Sequence, residues 1–174
     1  LEIAEKMAAN KDSLDFNYIF LAFGAEEMGL VGSKYFVNNM PVEDSLIKAM
    51  INLDMLGRMK KDSSLQIGGV GTSLEGEKIL TDLNLNYHFK LGFSQEGYGP
   101  SDHSSFYSKD IPVFFFSTGA HIDYHTPGDS IGNINFQGLV HATKYIYEFA
   151  NEISSDENIL TFQEAGPKVK EGIR

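Results

Sequence analysis

The sequence predicts an α/β fold, a mainly parallel or mixed β-sheet sandwiched by helices. Two observations predict it. Short, dense apolar runs alternate with amphipathic stretches along the chain, the pattern of strands buried on both faces and helices covering them. At 174 residues with 42% hydrophobic content, there is also enough chain and apolar side chain for one domain with a real core.

The elements follow in order. Leu1, Ile3, Ala4 and Met7 fall on one face at helical spacing, but no Ser, Thr, Asp or Asn precedes them as a cap. The start reads as a helix joined partway along, with further residues expected upstream. Phe16 to Gly24 (FNYIFLAFG) is dense in aromatic and aliphatic residues, as a buried strand is. Leu30 to Asn39 follows as a helix stopped before Pro41. Lys48 to Asp54 and Ser64 to Gly68 are the next strands, then a Gly-rich turn and a helix from Ser73 to Leu83 with Glu75 and Glu77 early in it. Tyr87 to Phe93 alternates apolar and polar positions, the mark of a half-buried strand. Val113 to Phe116 (VFFF) is a further buried strand, and Phe136 to Ile153 is the longest amphipathic helix. The expected organisation is a domain over residues 1–153 and a polar tail over 154–174, which carries Pro167 and Gly172 and is expected to be poorly ordered.

Composition excludes several functions. Asp and Glu number 24 against 14 Lys and Arg, a formal net charge of −10; phosphate backbones need a basic face, so nucleic acid is a poor partner. There is no Cys, which removes disulfide scaffolds, thiol catalysis and Cys-ligated zinc. The apolar runs fall well short of the ~20 residues of a membrane-spanning helix. No G-x-S-x-G elbow, Walker-type loop or G-x-G-x-x-G occurs. Ser101, Asp102 and His103 have the residue types of a catalytic triad, but sequence neighbours cannot adopt its geometry.

Three polar clusters follow predicted strands: Glu26 and Glu27, Asp54, and His121-Ile-Asp-Tyr-His125. Ligands of open α/β sheets gather beyond the carboxyl ends of strands, so these clusters can converge. A histidine with carboxylates suits zinc, with manganese or cobalt as alternatives. Two adjacent glutamates can divide the work, one on a metal and its neighbour free to take a proton from water. Each cluster taken singly also has a structural reading: a helix-start Glu pair complementing the dipole, an Asp in a turn, two histidines in a loop bounded by Gly119 and Thr126-Pro127-Gly128.

Four segments in order, FGAEEMGLVGS, INLDMLGR, SDHSSF followed by IPVFFF, and HIDYHTPGDS, closely resemble the co-catalytic zinc aminopeptidases. This family includes the bacterial leucine-type aminopeptidases and has relatives in glutamate carboxypeptidase and glutaminyl cyclase. The resemblance spans about residues 1–153 and implies a zinc-exopeptidase-like fold, truncated at its N-terminus and carrying the C-terminal portion of the catalytic domain. It implies that Glu26 is the general base, Glu27 and His125 are ligands of one zinc, and Asp54 is a ligand of the other. It further implies that Tyr124 stabilises the tetrahedral oxyanion and that Met55 lines the substrate pocket. Asp102, His103 and Asp129 match positions that orient the ligands or shape the pocket.

The family pattern also expects a His and a metal-bridging Asp upstream of Leu1. His88 and His103 lie in the wrong motifs to replace the former. Two zinc ions are therefore expected in the intact parent, an incomplete site in this chain, and no peptidase activity from these residues alone. The expected substrates are peptides with a free N-terminus, and Met55, Tyr98, Phe106 and Ile122 can line an apolar pocket or lie in the core. By analogy with the family, the protein is secreted or periplasmic. Two alternatives remain. One is a glutaminyl-cyclase-like zinc acyltransferase, against which the absence of Trp counts. The other is a non-catalytic binding module on the same fold, against which retention of Glu26, Glu27, Asp54, Tyr124 and His125 counts.

Overall fold

The computed structural model describes residues 1–155 and 160–168. Its elements are α1 (Glu2–Ala9), α2 (Val31–Asn38), β1 (Met50–Leu53), β2 (Ser64–Gly68), α3 (Gly76–Leu83), β3 (Lys90–Ser94), α4 (His103–Tyr107), β4 (Val113–Ser117) and α5 (Phe136–Glu152). The strands form one mixed sheet in the order β1-β4-β2-β3. β1 runs parallel to β4, with Asn52 opposite Phe115, and β2 runs parallel to β3. The central pair, β2 and β4, is antiparallel. This is the expected mixed sheet.

Alternation along β4 decides what each face carries, because successive side chains of a strand point to opposite sides. Phe114 and Phe116 face the layer formed by α3 and α5, where they pack with Leu65, Ile67, Leu80, Tyr145, Ile146 and Phe149. Val113 faces the other layer with Val37 of α2 and Phe106 and Tyr107 of α4. α1 lies against α5 through Met7, Tyr147 and Ala150. Each fully buried aromatic or aliphatic side chain in these clusters contributes about 1.5–3 kcal/mol by leaving water. Asn135 caps α5, its side chain accepting from the Gly138 N–H at 2.9 Å. No helix among the described residues is long and apolar enough to cross a membrane.

Two expectations fail. Phe16 to Gly24 is not a strand: the segment makes no ladder hydrogen bonds among the described residues. A strand exists only where another strand's edge accepts its N–H and C=O groups, and no described edge does so here. Ile19, Phe20 and Leu21 remain 51%, 55% and 41% exposed. They line a broad cleft of about 1870 Å³ that β1 also lines. Residues 160–168, expected to be poorly ordered tail, are docked. Phe162 bridges Ser73, Gln163 N–H donates to the Thr72 carbonyl at 3.0 Å, and the Tyr107 hydroxyl donates to the Gly166 carbonyl at 2.8 Å. The rest of the tail expectation, residues 156–159 and 169–174, falls outside the described residues.

Smaller shifts have local causes. β3 starts at Lys90 rather than Tyr87, because Asn84 bonds both the N–H and the C=O of Phe89 and His88 holds a positive φ of 59°. α3 starts at Gly76, whose N–H donates to the Ser73 hydroxyl.

Candidate functional site

Three segments bring chemistry to one cleft. The turn 25–29 before α2 carries Glu26 and Glu27; the end of β1 carries Asp54; the loop after β4 carries Tyr124 and His125. All five line the cleft, together with Met55, Asp102 and Asp129. The backbone is unusual at each arrival. Ala25, Met55 and His125 are non-glycine residues with φ of 55°, 57° and 57°, a left-handed conformation costing about 1–3 kcal/mol each that persists where surrounding structure imposes it. These positions precede Glu26, follow Asp54 and carry the histidine itself. The Met55 carbonyl is held by the N–H and hydroxyl of Thr118, at 3.1 and 2.6 Å.

His125 Nε2 and Glu27 Oε1 meet at 2.7 Å, so the two residues expected from the sequence to share one zinc are brought into direct contact. Asp54 is set differently. Its Oδ2 accepts from the Ser101 hydroxyl at 3.0 Å, and Ser101 Oγ accepts from Asn52 Nδ2 at 2.8 Å. Asn52 and Ser101 are 8% and 2% exposed. This chain of bonds orients one carboxylate oxygen and leaves the other free of it. Nothing in the sequence marks Asn52 or Ser101 as a partner of Asp54 beyond slight signals: Asn52 shares a strand face with Asp54 by period 2, and Ser101 opens the SDH segment.

Electrostatics tie the group together. Partial burial raises the Glu26 carboxyl above the usual range, and Glu27, Asp102 and Asp54 push it further up while His125 opposes them. The Tyr124 phenol is raised by desolvation, then by Glu27, Asp54 and Glu26. Asp102 is only 8% exposed, and its Oδ1 has no hydrogen-bond partner among the described residues. Asp129 meets Arg58 at 2.8 Å. His103 stands apart. It is 1% exposed and stacked on Phe115 at 4.7 Å, and it lines a second cavity, of about 240 Å³. Burial pulls its pKa down to about 4. It makes no hydrogen bond to Glu27, Asp54 or His125 among the described residues, and its Nδ1 is buried there without a partner.

The donor set has the chemistry for zinc, carboxylate with imidazole, but not the number. Glu27 and His125 converge as two donors, and among the described residues no group of three or more His, Cys, Asp or Glu could hold a metal ion. Catalytic zinc takes about three protein ligands. These residues alone do not make a complete metal site.

The model of peptidase family M28 matches residues 1–150. Aminopeptidase YwaD of Bacillus subtilis is 33% identical over 147 residues, covering 74% of this chain and 31% of that protein. Among solved structures, the LapA aminopeptidase of Legionella pneumophila is 31% identical with a TM-score of 0.65, over 77% of this chain and 38% of that one. BSAP, a zinc aminopeptidase from Bacillus subtilis, is 28% identical with a TM-score of 0.65, over 78% of this chain and 35% of that one. The chain thus spans less than two fifths of the length of each of these three relatives.

Proposed function

The chain belongs to peptidase family M28, and from that premise we propose that the protein is a zinc aminopeptidase that removes residues from the free N-termini of peptides. One observation carries the reading: Glu26, Glu27, Asp54, Tyr124 and His125, drawn from three separate segments, line a single cleft. Glu27 and His125 would hold one zinc and Asp54 a second, each completed by ligands from outside these residues. Zinc, when bound, supplies Lewis acidity, which lowers the pKa of water from about 15.7 to about 7.

The chain's own groups do the rest. Glu26 takes the proton of the attacking water and returns it to the leaving amine. Its raised pKa suits that exchange, since a base is most effective when its pKa lies near the working pH. The raised Tyr124 phenol keeps its proton and donates to the oxyanion as it forms. Asp102, buried beside the cleft with one oxygen unpartnered among the described residues, adds negative charge to a cleft that receives an α-ammonium group. The 174 residues alone hold zinc weakly or not at all and do not hydrolyse peptides.

The test compares this chain with one extended upstream through a His and a bridging Asp. Zinc stoichiometry and hydrolysis of an aminoacyl-anilide are measured on both. Equal activity in the two would remove the incomplete-site reading. In the extended form, Glu26→Gln keeps zinc and loses about 10²–10⁴ in turnover, whereas Glu27→Ala loses zinc. Unchanged turnover in Glu26→Gln would reassign the base.

A further inference from the structure

The loop that carries Tyr124 and His125 has little holding it down. Residues 119–130 contribute nothing to the hydrophobic clusters, and Ile122 is 95% exposed. Its backbone bonds are local: Tyr124 N–H to the His121 carbonyl, Thr126 N–H to the Asp123 carbonyl and Asp129 N–H to the Thr126 carbonyl. At its two ends, Gly119 N–H donates to the Ser117 hydroxyl, and Asn133 donates to the Gly128 and Ser130 carbonyls. Such a chain of local turns fixes a loop's own shape, not its place on the protein.

What places it is Arg58. This residue lies four positions past Asp54, on the segment leaving β1, and its side chain is 17% exposed. One guanidinium nitrogen donates to Asp123, and the other donates to Asp129 Oδ1 at 2.8 Å. Asp129 Oδ2 also lies 3.7 Å from His121 Nε2. The two carboxylates bracket Tyr124 and His125 in sequence, so a single planar fork grips the loop on both sides of the residues that face the cleft. Charge-assisted bonds of this kind are about twice as strong as neutral ones, and Arg, unlike Lys, presents several N–H donors in a fixed planar fork. The same short stretch of chain therefore bears Asp54 at one end and holds the Tyr124–His125 loop at the other.

We propose that Arg58 is a positioning residue that sets Tyr124 and His125 at a fixed distance from Asp54 and Glu27 by clamping Asp123 and Asp129. Its consequence for catalysis rests on the aminopeptidase reading; the clamp itself does not. Without the fork, His125 is left with its contact to Glu27 as the link across the cleft, and the left-handed backbone at His125 loses the outside support that sustains it.

Amide hydrogen exchange on the 174-residue chain tests this directly. Arg58→Gln accelerates exchange across 120–130 at least about tenfold, while amides of β4 and α5 keep their rates and the unfolding midpoint moves by less than about 2 °C. Arg58→Lys retains the charge but engages one carboxylate at a time, and gives an intermediate acceleration. Loop rates equal to the parent in both variants overturn the clamp, as does an acceleration spread equally over β4 and α5. Glu26→Gln leaves these loop rates unchanged, so a failure of the general-base assignment is read separately from a failure of the clamp.

Discussion

The sheet face under α5 and the open side of β1 are made from the same kinds of residue and reach opposite states. Under α5, Phe114, Phe116, Tyr145 and Phe149 are all 0% exposed, with Phe114 and Phe149 packed edge to face at 4.8 Å. On β1, Leu53 is 46% exposed, and Phe20, which lines the same cleft, is 55% exposed. Composition does not separate these regions. The difference is that α5 supplies a second surface at the right distance, while β1 has no strand on its outer edge among the described residues. The candidate site lies along this boundary. A rigid interior fixes where β1 and β4 end, and the open side leaves Glu26, Glu27 and Asp54 reachable. Chemistry needs both: frozen positions and access.

Truncating one aromatic from each region breaks or sharpens this contrast most. Phe149→Ala removes a fully buried ring and costs about 3–5 kcal/mol, lowering the unfolding midpoint by roughly 10 °C for a domain of this size. Phe20→Ala, already half in water, changes stability by less than about 1 kcal/mol. Equal losses in denaturant unfolding would show that the cleft wall carries as much of the fold as the interior does.

A second contrast lies between two histidines. His125 faces the cleft, whereas His103 is sealed against Phe115 with its pKa pulled down to about 4 by burial. Burial disfavours the charged ring, so below its ordinary pKa of about 6.5 the unfolded chain binds the proton that the folded chain refuses. The stability associated with a neutral His103 is fully present above about pH 6.5 and is lost as pH falls towards 4. The loss is of the order of 3 kcal/mol. Unfolding free energies measured from pH 7 to pH 4 should show this slope, and His103→Gln should flatten it. A slope unchanged by the substitution would assign it to other groups.

The Asp54 tether is the next step down. Ser101→Ala removes the bond to Asp54 and strands Asn52 Nδ2 in a buried place, costing about 1–3 kcal/mol. Ser101→Thr, which keeps the hydroxyl, should recover part of that. Recovery absent from both unfolding and metal titration would mean that Ser101 serves only to fill space.

How far such features can be read from sequence depends on whether the cause is local. Val113 to Phe116 announces a buried strand because four consecutive large apolar residues need cover on both faces. Phe16 to Gly24 announces the same need, but the pattern reports a demand for burial and not the presence of a partner edge. α4 is missed because HSSFY is short and polar, and its five residues are buried by what surrounds them. Asp54 and His125 are legible because the strands β1 and β4 precede them, whereas Glu26 and Glu27 follow no strand among the described residues and are legible from the family motif alone. Ser101 and Arg58 are not, since their bonds to Asp54 and Asp129 join residues 47 and 71 positions apart and leave no periodic trace.

The smallest effect separates fold from function using one atom. Tyr145 and Tyr124 differ in what their hydroxyls touch. Tyr145 is 0% exposed and donates to the Leu80 carbonyl at 2.7 Å, tying α5 to α3, and burial raises its pKa well above the ordinary phenol value. Tyr124 is 46% exposed and stacks on His125 at 3.8 Å. Tyr145→Phe breaks a buried bond and leaves a carbonyl lone pair unmet, costing about 1 kcal/mol, or roughly 2–4 °C in the unfolding midpoint. Tyr124→Phe keeps the ring and its stack, so stability stays within about 0.5 kcal/mol. In the hydrolytically active form, however, its loss falls on kcat, because an oxyanion donor acts only once the charge develops. A Tyr124→Phe enzyme with raised KM and unaltered kcat would turn that hydroxyl from a transition-state donor into a substrate contact. A Tyr124→Phe chain as destabilised as Tyr145→Phe would place the loop inside the fold's cooperative core, against everything its exposure implies.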